Sequence, residues 1–511
     1  MDFEFHCIAK SSWVPDNLSP GRVYLRENDW DDFGYRTTFF LSVRDQESGR
    51  SVEVGTVKIA DLSVEDIPGL NRKIHTSLPR SFRVLDSNFV LLAQDSDVYE
   101  RAAQALGQGP TRVLFERLND LALSPDRLEQ LANQQGPVAS SLLRTVSIST
   151  VREQYRRLLS GLRAKSSFSV TYHPRYGPSG EENQLHFNAV ADSDVPTNVH
   201  AIIGGNGAGK TTTLRSIESG LLESGGVTTS NSTVQLSDSG RFGGILSVRF
   251  NAFDKPIMRS GTSYARPRVR RIHLTLGAPP LIETLADPDP SLPTGDLSTS
   301  DGQEQFFEAT LAACLLDRED RLLRAMSLLA RADPLLDAWG VSTKDGLHTL
   351  QFGSLSSGHK ILLLTIVSLV LYCEERTLIL VDEPESHLHP PLLSAFTRAL
   401  SELVTERNGL ALIATHSPIV LQEVPRQCAW IIRRSTSGTR ISHPSIETFG
   451  ENVDALTREV FGLEARESGY FTILIKLAEK YGTFEGALEA TGDALSIEAQ
   501  LILRSLLRHP R

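Results

Sequence analysis

Apolar and polar positions change their period along this chain. Over roughly the first 95 residues they alternate in short runs: Phe3–Ile8, Arg22–Leu25, Arg36–Val43 and Ser51–Ile59. Gly, Asp, Asn and Pro separate these runs. A period of two bounded by turn formers predicts strands. From about Asp97 to Leu162, Leu and Ala recur at helical spacing with short breaks, so helices are expected. Ser167–Tyr172 and Leu185–Val190 predict two strands joined by the loop HPRYGPSGEEN. Val199–Gly204 is an apolar strand running straight into a Gly-rich turn and a helix. Residues 222–245, rich in Ser, Gly and Thr, predict a loop or hairpin, and Ile245–Phe250 a strand. Ala286–Gly302 (ADPDPSLPTGDLSTSDG) reads as a flexible connector. Gln303–Leu336 reads as one or two helices of an inserted arm. Leu355–Pro425 gives helix, strand, helix, strand, and from about Ile441 a short loop leads into helices. The expected class is α/β. A strand-rich, then helical α+β accessory domain spans 1–165. A core spans 166–435 with a helical insert at about 286–345, and a helical region spans 436–511.

Composition narrows the class. With 40% hydrophobic and 22% charged residues among 511, the chain can bury a large core, which excludes general disorder. A net charge of −10 argues against coating nucleic acid by charge alone and leaves a local basic patch open. Cys7, Cys314, Cys373 and Cys428 are scattered without a CxxC pair, as expected for free thiols in a reducing cytoplasm. The first residues lack the basic start and apolar run of a signal peptide. The longest apolar stretch, Ile361–Tyr372, falls short of the roughly 20 residues of a membrane helix. A cytoplasmic protein with no membrane span is expected.

The candidate chemistry starts at AIIGGNGAGKTTTL, which fits G-x-x-x-x-G-K-[ST] with Gly204, Gly209, Lys210 and Thr211. Glycines here, with Asn206 and Gly207 in the same turn, let backbone N–H groups face phosphates. The following helix N-terminus adds partial positive charge. Lys210 is expected on the β- and γ-phosphates, Thr211 on Mg²⁺ and Thr212 at the α-phosphate. This motif indicates a nucleotide phosphate without saying which nucleotide. Downstream, Thr377–Val381 is a buried-strand pattern ending in Asp382-Glu383. Adjacent carboxylates at a strand end are costly to bury without a cation. Asp382 is expected to hold Mg²⁺ and Glu383 to polarise an attacking water. A second apolar strand ends in Thr415-His416, where the histidine can sense a γ-phosphate. LSSGHK (Leu355–Lys360) precedes a strongly apolar helix: Ser356 and Ser357 fit an N-cap, and Gly358 permits close approach. It reads either as a capped core helix or as a phosphate clamp acting on another subunit. His387 and His389 raise zinc as an alternative. RPRVRR (Arg266–Arg271) reads as a nucleic-acid contact or as a solvated loop.

The order of phosphate loop, LSSGHK, LILVDEPESHLHP and ATHSP resembles the ABC ATPase superfamily. The ExHLHP and ATHSP wording is similar to its soluble RecF/SMC/OLD branch. The run through DEPESHLHPPLLSAF and ATHSPIVLQEVP, with FGENVDALTREVFG (Phe449–Gly462), resembles ATPases of Septu and retron-associated anti-phage systems. This implies an ABC-type P-loop head with a helical insertion that binds ATP and Mg²⁺ and hydrolyses ATP. Two heads would sandwich two ATPs, each completed by Ser356, Ser357 and Gly358 of the other chain. It also implies a homodimer or higher oligomer, and a separate effector such as an HNH nuclease. The stretch after His416 carries no Asp-x-Asp, so no built-in nuclease of the OLD type is expected. The family's loop linking Mg²⁺ to conformational change would fall at VRFNAFDKP, with Asn251 or Asp254 in that role or a plain strand-end turn instead. The main alternative function is a DNA-repair or chromosome-associated ATPase that binds nucleic acid directly. A scaffold holding ATP without hydrolysis, and a transporter subunit, are further ones.

Overall fold

The computed structural model describes residues 2–32, 34–63, 74–75, 78–134, 136–161, 167–173, 184–191, 193–223, 234–236, 242–249, 268–273, 281–284, 300–435, 438–466 and 470–508. Asn251 and Asp254, the loop 174–183 and most of the connector 286–302 lie outside these.

The first sheet uses β1 (Glu4–Ile8), β2 (Arg22–Glu27), β4 (Thr38–Arg44), β5 (Ser51–Asp61), β7 (Ser81–Phe82) and β8 (Phe89–Ala93), in the order β7-β1-β2-β4-β5-β8. A small pair, β3 (Tyr35–Arg36) and β6 (Ile74–His75), lies apart from it. The alternation seen in the sequence sends Phe5, Leu25, Leu41, Val57 and Leu91 into one core. Helices α1 (Asp97–Leu106), α2 (Gln108–Arg117), α3 (Pro125–Ala132), α4 (Ile148–Thr150) and α5 (Arg156–Leu159) contribute Tyr99, Phe115, Leu128 and Leu159 to the same core.

The second sheet positions the candidate site. Its strands are β11 (Val199–Ile203), β13 (Gly244–Arg249), β14 (Arg268–His273), β15 (Leu281–Thr284), β16 (Thr377–Asp382), β17 (Leu410–Thr415), β18 (Ala429–Ser435) and β19 (Gly438–Ser442). They run in the order β15-β14-β13-β16-β17-β11-β18-β19. The six inner strands are parallel, and the edge strands β15 and β19 are antiparallel. Parallel strands are buried on both faces, which explains the near-continuous apolar runs of β11, β16 and β17. Alternate residues feed two separate cores. Ala201, Ile203, Ile379, Val381, Ala411 and Ile413 face one side, while Ile202, Leu378, Leu380, Leu410 and Leu412 face the other.

The first of these faces is covered by α7 (Ser300–Asp317), α8 (Glu319–Ala332), α11 (Ser357–Tyr372) and α12 (Pro390–Glu406). The second carries α6 (Lys210–Glu223) and a three-stranded antiparallel sheet of β9 (Phe168–Tyr172), β10 (Leu185–Ala189) and β12 (Val234–Leu236).

Four expectations change. The helices read as an inserted arm pack into the body of the chain as an outer layer on α11 and α12: Phe306, Phe307, Leu322, Met326 and Leu329 are buried in the core shared with Val199 and Ile379. The segment read as a loop or hairpin contains β12, which pairs with the distant β9 rather than with its own neighbours. The basic run Arg268–Arg271 is not a loop but part of β14, paired with β13. Between Ala429 and Ser442 lie two strands where none was expected. Short helices α9 (Pro334–Ala338), α10 (Lys344–Thr349) and α13 (Pro418–Gln422) make the corners, and α14 (Val453–Arg466), α15 (Tyr470–Tyr481), α16 (Phe484–Thr491) and α17 (Ile497–Arg508) end the chain. Among the described residues no helix is long and apolar enough to cross a membrane. The four cysteines are unpaired.

Candidate functional site

The strand register gathers the candidate residues. Ile203 pairs with Thr415, and Asp382 pairs with Ala414. The carboxyl ends of β11, β17 and β16 therefore lie side by side, and Gly204, His416 and Glu383 follow them directly. In open parallel sheets, ligands bind at this edge.

The loop from Gly204 turns through Gly207 at φ 73° and Gly209 at φ 102° into α6. A side chain disfavours both conformations. Gly204 is fixed by crowding instead, since a Cβ there would lie 2.2 Å from the Ile432 carbonyl oxygen of β18. The Lys210 ammonium folds back on the loop and donates to the carbonyls of Gly204 (3.0 Å) and Gly205 (3.1 Å). It also lies 3.2 Å from His416 Nδ1. Burial pulls the Lys210 ammonium below its ordinary range, and Glu383, Glu385 and Asp382 oppose that pull. The Thr211 hydroxyl donates to Asp382 Oδ1 at 3.0 Å. Burial pushes the Asp382 carboxyl up; the Thr211 hydroxyl acts against this, and neighbouring Glu383 adds to it. Thr212 follows Thr211 in the first turn of α6, and Asn206 lies in the loop between Gly204 and Gly207.

Glu383 sits in the left-handed region at φ 52°, unusual for a side-chain-bearing residue. Its N–H donates to the Ala414 carbonyl at 2.9 Å, which anchors it to β17. His416 Nε2 meets Glu383 Oε1 at 2.8 Å, and His416 Nδ1 meets the Gly204 carbonyl at 3.1 Å. Glu385 completes the group. One of its oxygens accepts the backbone N–H of His416, and the other is buried without a hydrogen-bond partner. A buried carboxylate oxygen of this kind suits an ordered water. The glycine cradle, Lys210, and the Thr211 hydroxyl beside Asp382 are groups that would fit a nucleotide triphosphate with its Mg²⁺.

The structure thus brings together Gly204, Asn206, Gly207, Gly209, Lys210, Thr211, Thr212, Asp382, Glu383 and His416. The turn LSSGHK (Leu355–Lys360), called the signature turn below, is built separately. Ser356 caps α11, its Oγ accepting from the His359 N–H at 3.3 Å. Ser357 is exposed. A Cβ on Gly358 would lie 2.9 Å from the His387 carbonyl oxygen, so the glycine lets the turn pack on the loop that follows Glu383. His389 does not pair with His387 around a metal. Its Nε2 faces Asp333 Oδ2 at 3.3 Å, and among the described residues no group of three His, Cys, Asp or Glu could hold a metal ion. Sequence reasoning missed Glu385, although its place two residues beyond Glu383 was a signal. It also missed Asp333, which lies on another element and gave none. Arg434 was missed too; it reaches from β18 to the Gly207 carbonyl at 3.4 Å.

Residues 259–422 match the family described as "AAA domain, putative AbiEii toxin, Type IV TA system". That match begins beyond the phosphate loop and spans LSSGHK, Asp382, Glu383 and His416. Protein ea59 of Escherichia phage lambda is 32% identical over 533 aligned positions, covering 99% of this chain and 98% of that protein. Among solved structures, the SMC head domain from Thermotoga maritima is 15% identical, covering 55% of this chain and 99% of that one, with a TM-score of 0.27. UvrA2 from Deinococcus radiodurans is 15% identical over 54% of this chain and 37% of its own, also at 0.27. At those scores the fold assignment rests on the strand order above.

Proposed function

The chain belongs to the family of protein ea59 of Escherichia phage lambda, and on that premise we propose that it is an ATP-hydrolysing ABC-type ATPase whose heads close in pairs on nucleotide and gate a partner effector. The observation that carries this reading is the meeting of Lys210, the Thr211–Asp382 pair and the Glu383–His416 pair at one sheet edge. Lys210 exchanges its loop carbonyls for the β- and γ-phosphates. Thr211 and Asp382 hold Mg²⁺, which when bound neutralises charge on the phosphate oxygens. Glu383 takes a proton from the attacking water as its oxygen bonds to the γ-phosphorus and the bond to the β–γ bridging oxygen breaks. His416 orients Glu383 through their 2.8 Å contact and sits beside the γ-phosphate position. Ser357 and Gly358 of a second chain close over the γ-phosphate from the other side. The effector is read as a nuclease of the HNH kind in phage defence. The phage-defence part of this reading rests on the motif resemblance of DEPESHLHPPLLSAF and ATHSPIVLQEVP.

The test compares wild type with Glu383→Gln for ATP turnover and solution mass, with and without Mg²⁺–ATP. The expected result is a fall in turnover of about 10²-fold or more, with an ATP-dependent doubling of mass. Equal turnover and unchanged mass would overturn the reading.

A further inference from the structure

Asp333 lies at the corner between α8 and α9, far in sequence from either phosphate motif. Its side chain is 7% exposed. Oδ1 caps α9, accepting from the N–H groups of Leu335 (2.8 Å) and Leu336 (3.3 Å). Oδ2 collects two imidazoles: Nε2 of His359 at 3.1 Å and Nε2 of His389 at 3.3 Å. His359 belongs to the signature turn, and His389 to the loop that follows Glu383. The other ring nitrogen of His359, Nδ1, meets Ser356 Oγ at 2.7 Å. The indole of Trp339 closes edge-on against the same ring, with centroids 5.4 Å apart.

Asp333, His359 and Ser356 are therefore joined in line. A buried carboxylate sets the ring, the ring sets the hydroxyl, and the hydroxyl caps the helix whose first residues are Ser357 and Gly358. Burial would raise the Asp333 carboxyl, but the contacts of His359 and His389 and the N–H groups of Leu335 and Leu336 outweigh it and hold the carboxyl below its ordinary range, and capping α9 alone uses only Oδ1. Packing alone does not require the two imidazole contacts either: α11 already buries Ile361, Leu362, Leu363 and Ile366. What the chain of contacts provides is a fixed direction for an exposed turn. It also ties that turn to the loop beyond Glu383 through His389. Functional groups held by packed and hydrogen-bonded supports keep the geometry their chemistry needs.

We propose that Asp333 is a positioning residue of the composite ATP site: through His359 and Ser356 it holds Ser357 and Gly358 in the orientation that engages ATP bound to a second copy of this chain. This rests on the paired-head reading above. It assigns the helical insert a part in the nucleotide site, which no phosphate motif reveals. Asp333 touches no nucleotide in this scheme, so its loss leaves ATP binding by a single head intact and weakens pairing.

The experiment uses the full chain in the Glu383→Gln background. Asp333→Ala is made alongside His359→Ala, which leaves the cap of α9 in place should Asp333→Ala not fold. Two quantities are read: affinity of the monomer for a fluorescent ATP analogue, and the ATP-dependent dimer dissociation constant by sedimentation. The expected result is monomer affinity within twofold of the parent and dimer affinity weaker by an order of magnitude or more. A dimer constant unchanged by both substitutions, in a parent that does dimerise, overturns this inference and spares the paired-head reading. Monomer affinity falling in step with dimer affinity also overturns it, since that marks general damage. A Glu383→Gln parent that stays monomeric with Mg²⁺–ATP removes the paired-head reading, and this inference falls with it.

Discussion

At Gly204 the loop between β11 and α6 passes under β18 with no space for a side chain: an added methyl would lie 2.2 Å from a carbonyl oxygen of Ile432. The other near neighbours are the Ile432 carbonyl carbon and the Ala208 Cβ, neither of them the far end of a flexible side chain. Gly204→Ala is therefore expected to push the loop off its strand and weaken ATP binding by at least about tenfold, a loss read by nucleotide titration. Glu383 is a second constrained residue. Its left-handed backbone costs of order 1–3 kcal/mol and persists because the strand contact to Ala414 and the ring of His416 determine it. Strain of that kind clusters where a side chain must be aimed, which agrees with the base role proposed for Glu383.

Elements are tied together by a few buried polar contacts. Asp120 caps the short turn Leu121–Leu123 by accepting the Ala122 N–H at 2.8 Å, and takes the Tyr99 hydroxyl of α1 at 2.8 Å. Burial pushes its carboxyl up to about 7, and those two hydrogen bonds only partly offset the cost. The folded state therefore prefers the neutral acid. That contribution is complete below about pH 4, the range of a carboxylate in the unfolded chain, and is lost as pH rises through 7. Denaturation at pH 5 and pH 8 should show the chain less stable at the higher pH by up to a few kcal/mol from this group. Asp120→Asn should narrow that difference, the raised carboxyls of Asp97, Asp317 and Glu375 carrying the rest. The helix α11 shows the other side of element formation. It is apolar around its whole circumference because it is buried between the sheet and the outer helices.

Across the whole molecule, the N-terminal unit grips the sheet at the end opposite the candidate site. Asp95 lies within 2.8 Å of Arg321 and within 2.7 Å of Arg407, with Arg318 at 3.7 Å, all almost fully buried. Arg407 stands just before β17. Just before β16, Glu374 accepts from the Ser147 N–H at 2.7 Å and Glu375 pairs with Arg157 at 3.2 Å. The two strands that end in Glu383 and His416 are thus held at their starts by the N-terminal unit. Asp95→Ala would leave three guanidinium groups in the interior without their shared carboxylate. We expect a loss of about 3–5 kcal/mol, read as a lower denaturant midpoint, with both units unfolding together in wild type.

The sequence by itself determined the strand-loop-helix around Gly204–Thr211, the Asp382-Glu383 strand end and the Thr415-His416 strand end. Each is a local pattern, because an apolar run buried on both faces must be continuous and turns at positive φ favour glycine. It also determined the division into α/β layers, since periods of two and 3.6 are properties of neighbouring residues. Only the tertiary structure decided which strands are adjacent, and hence that Lys210, Asp382, Glu383 and His416 meet. Only the tertiary structure decided that β12 pairs with β9, that α7 and α8 pack on α11 and α12, and that Asp333, Glu385 and Arg434 reach the motifs. Such contacts join residues far apart in the chain, and no local pattern specifies a partner that the packing of other elements brings within reach.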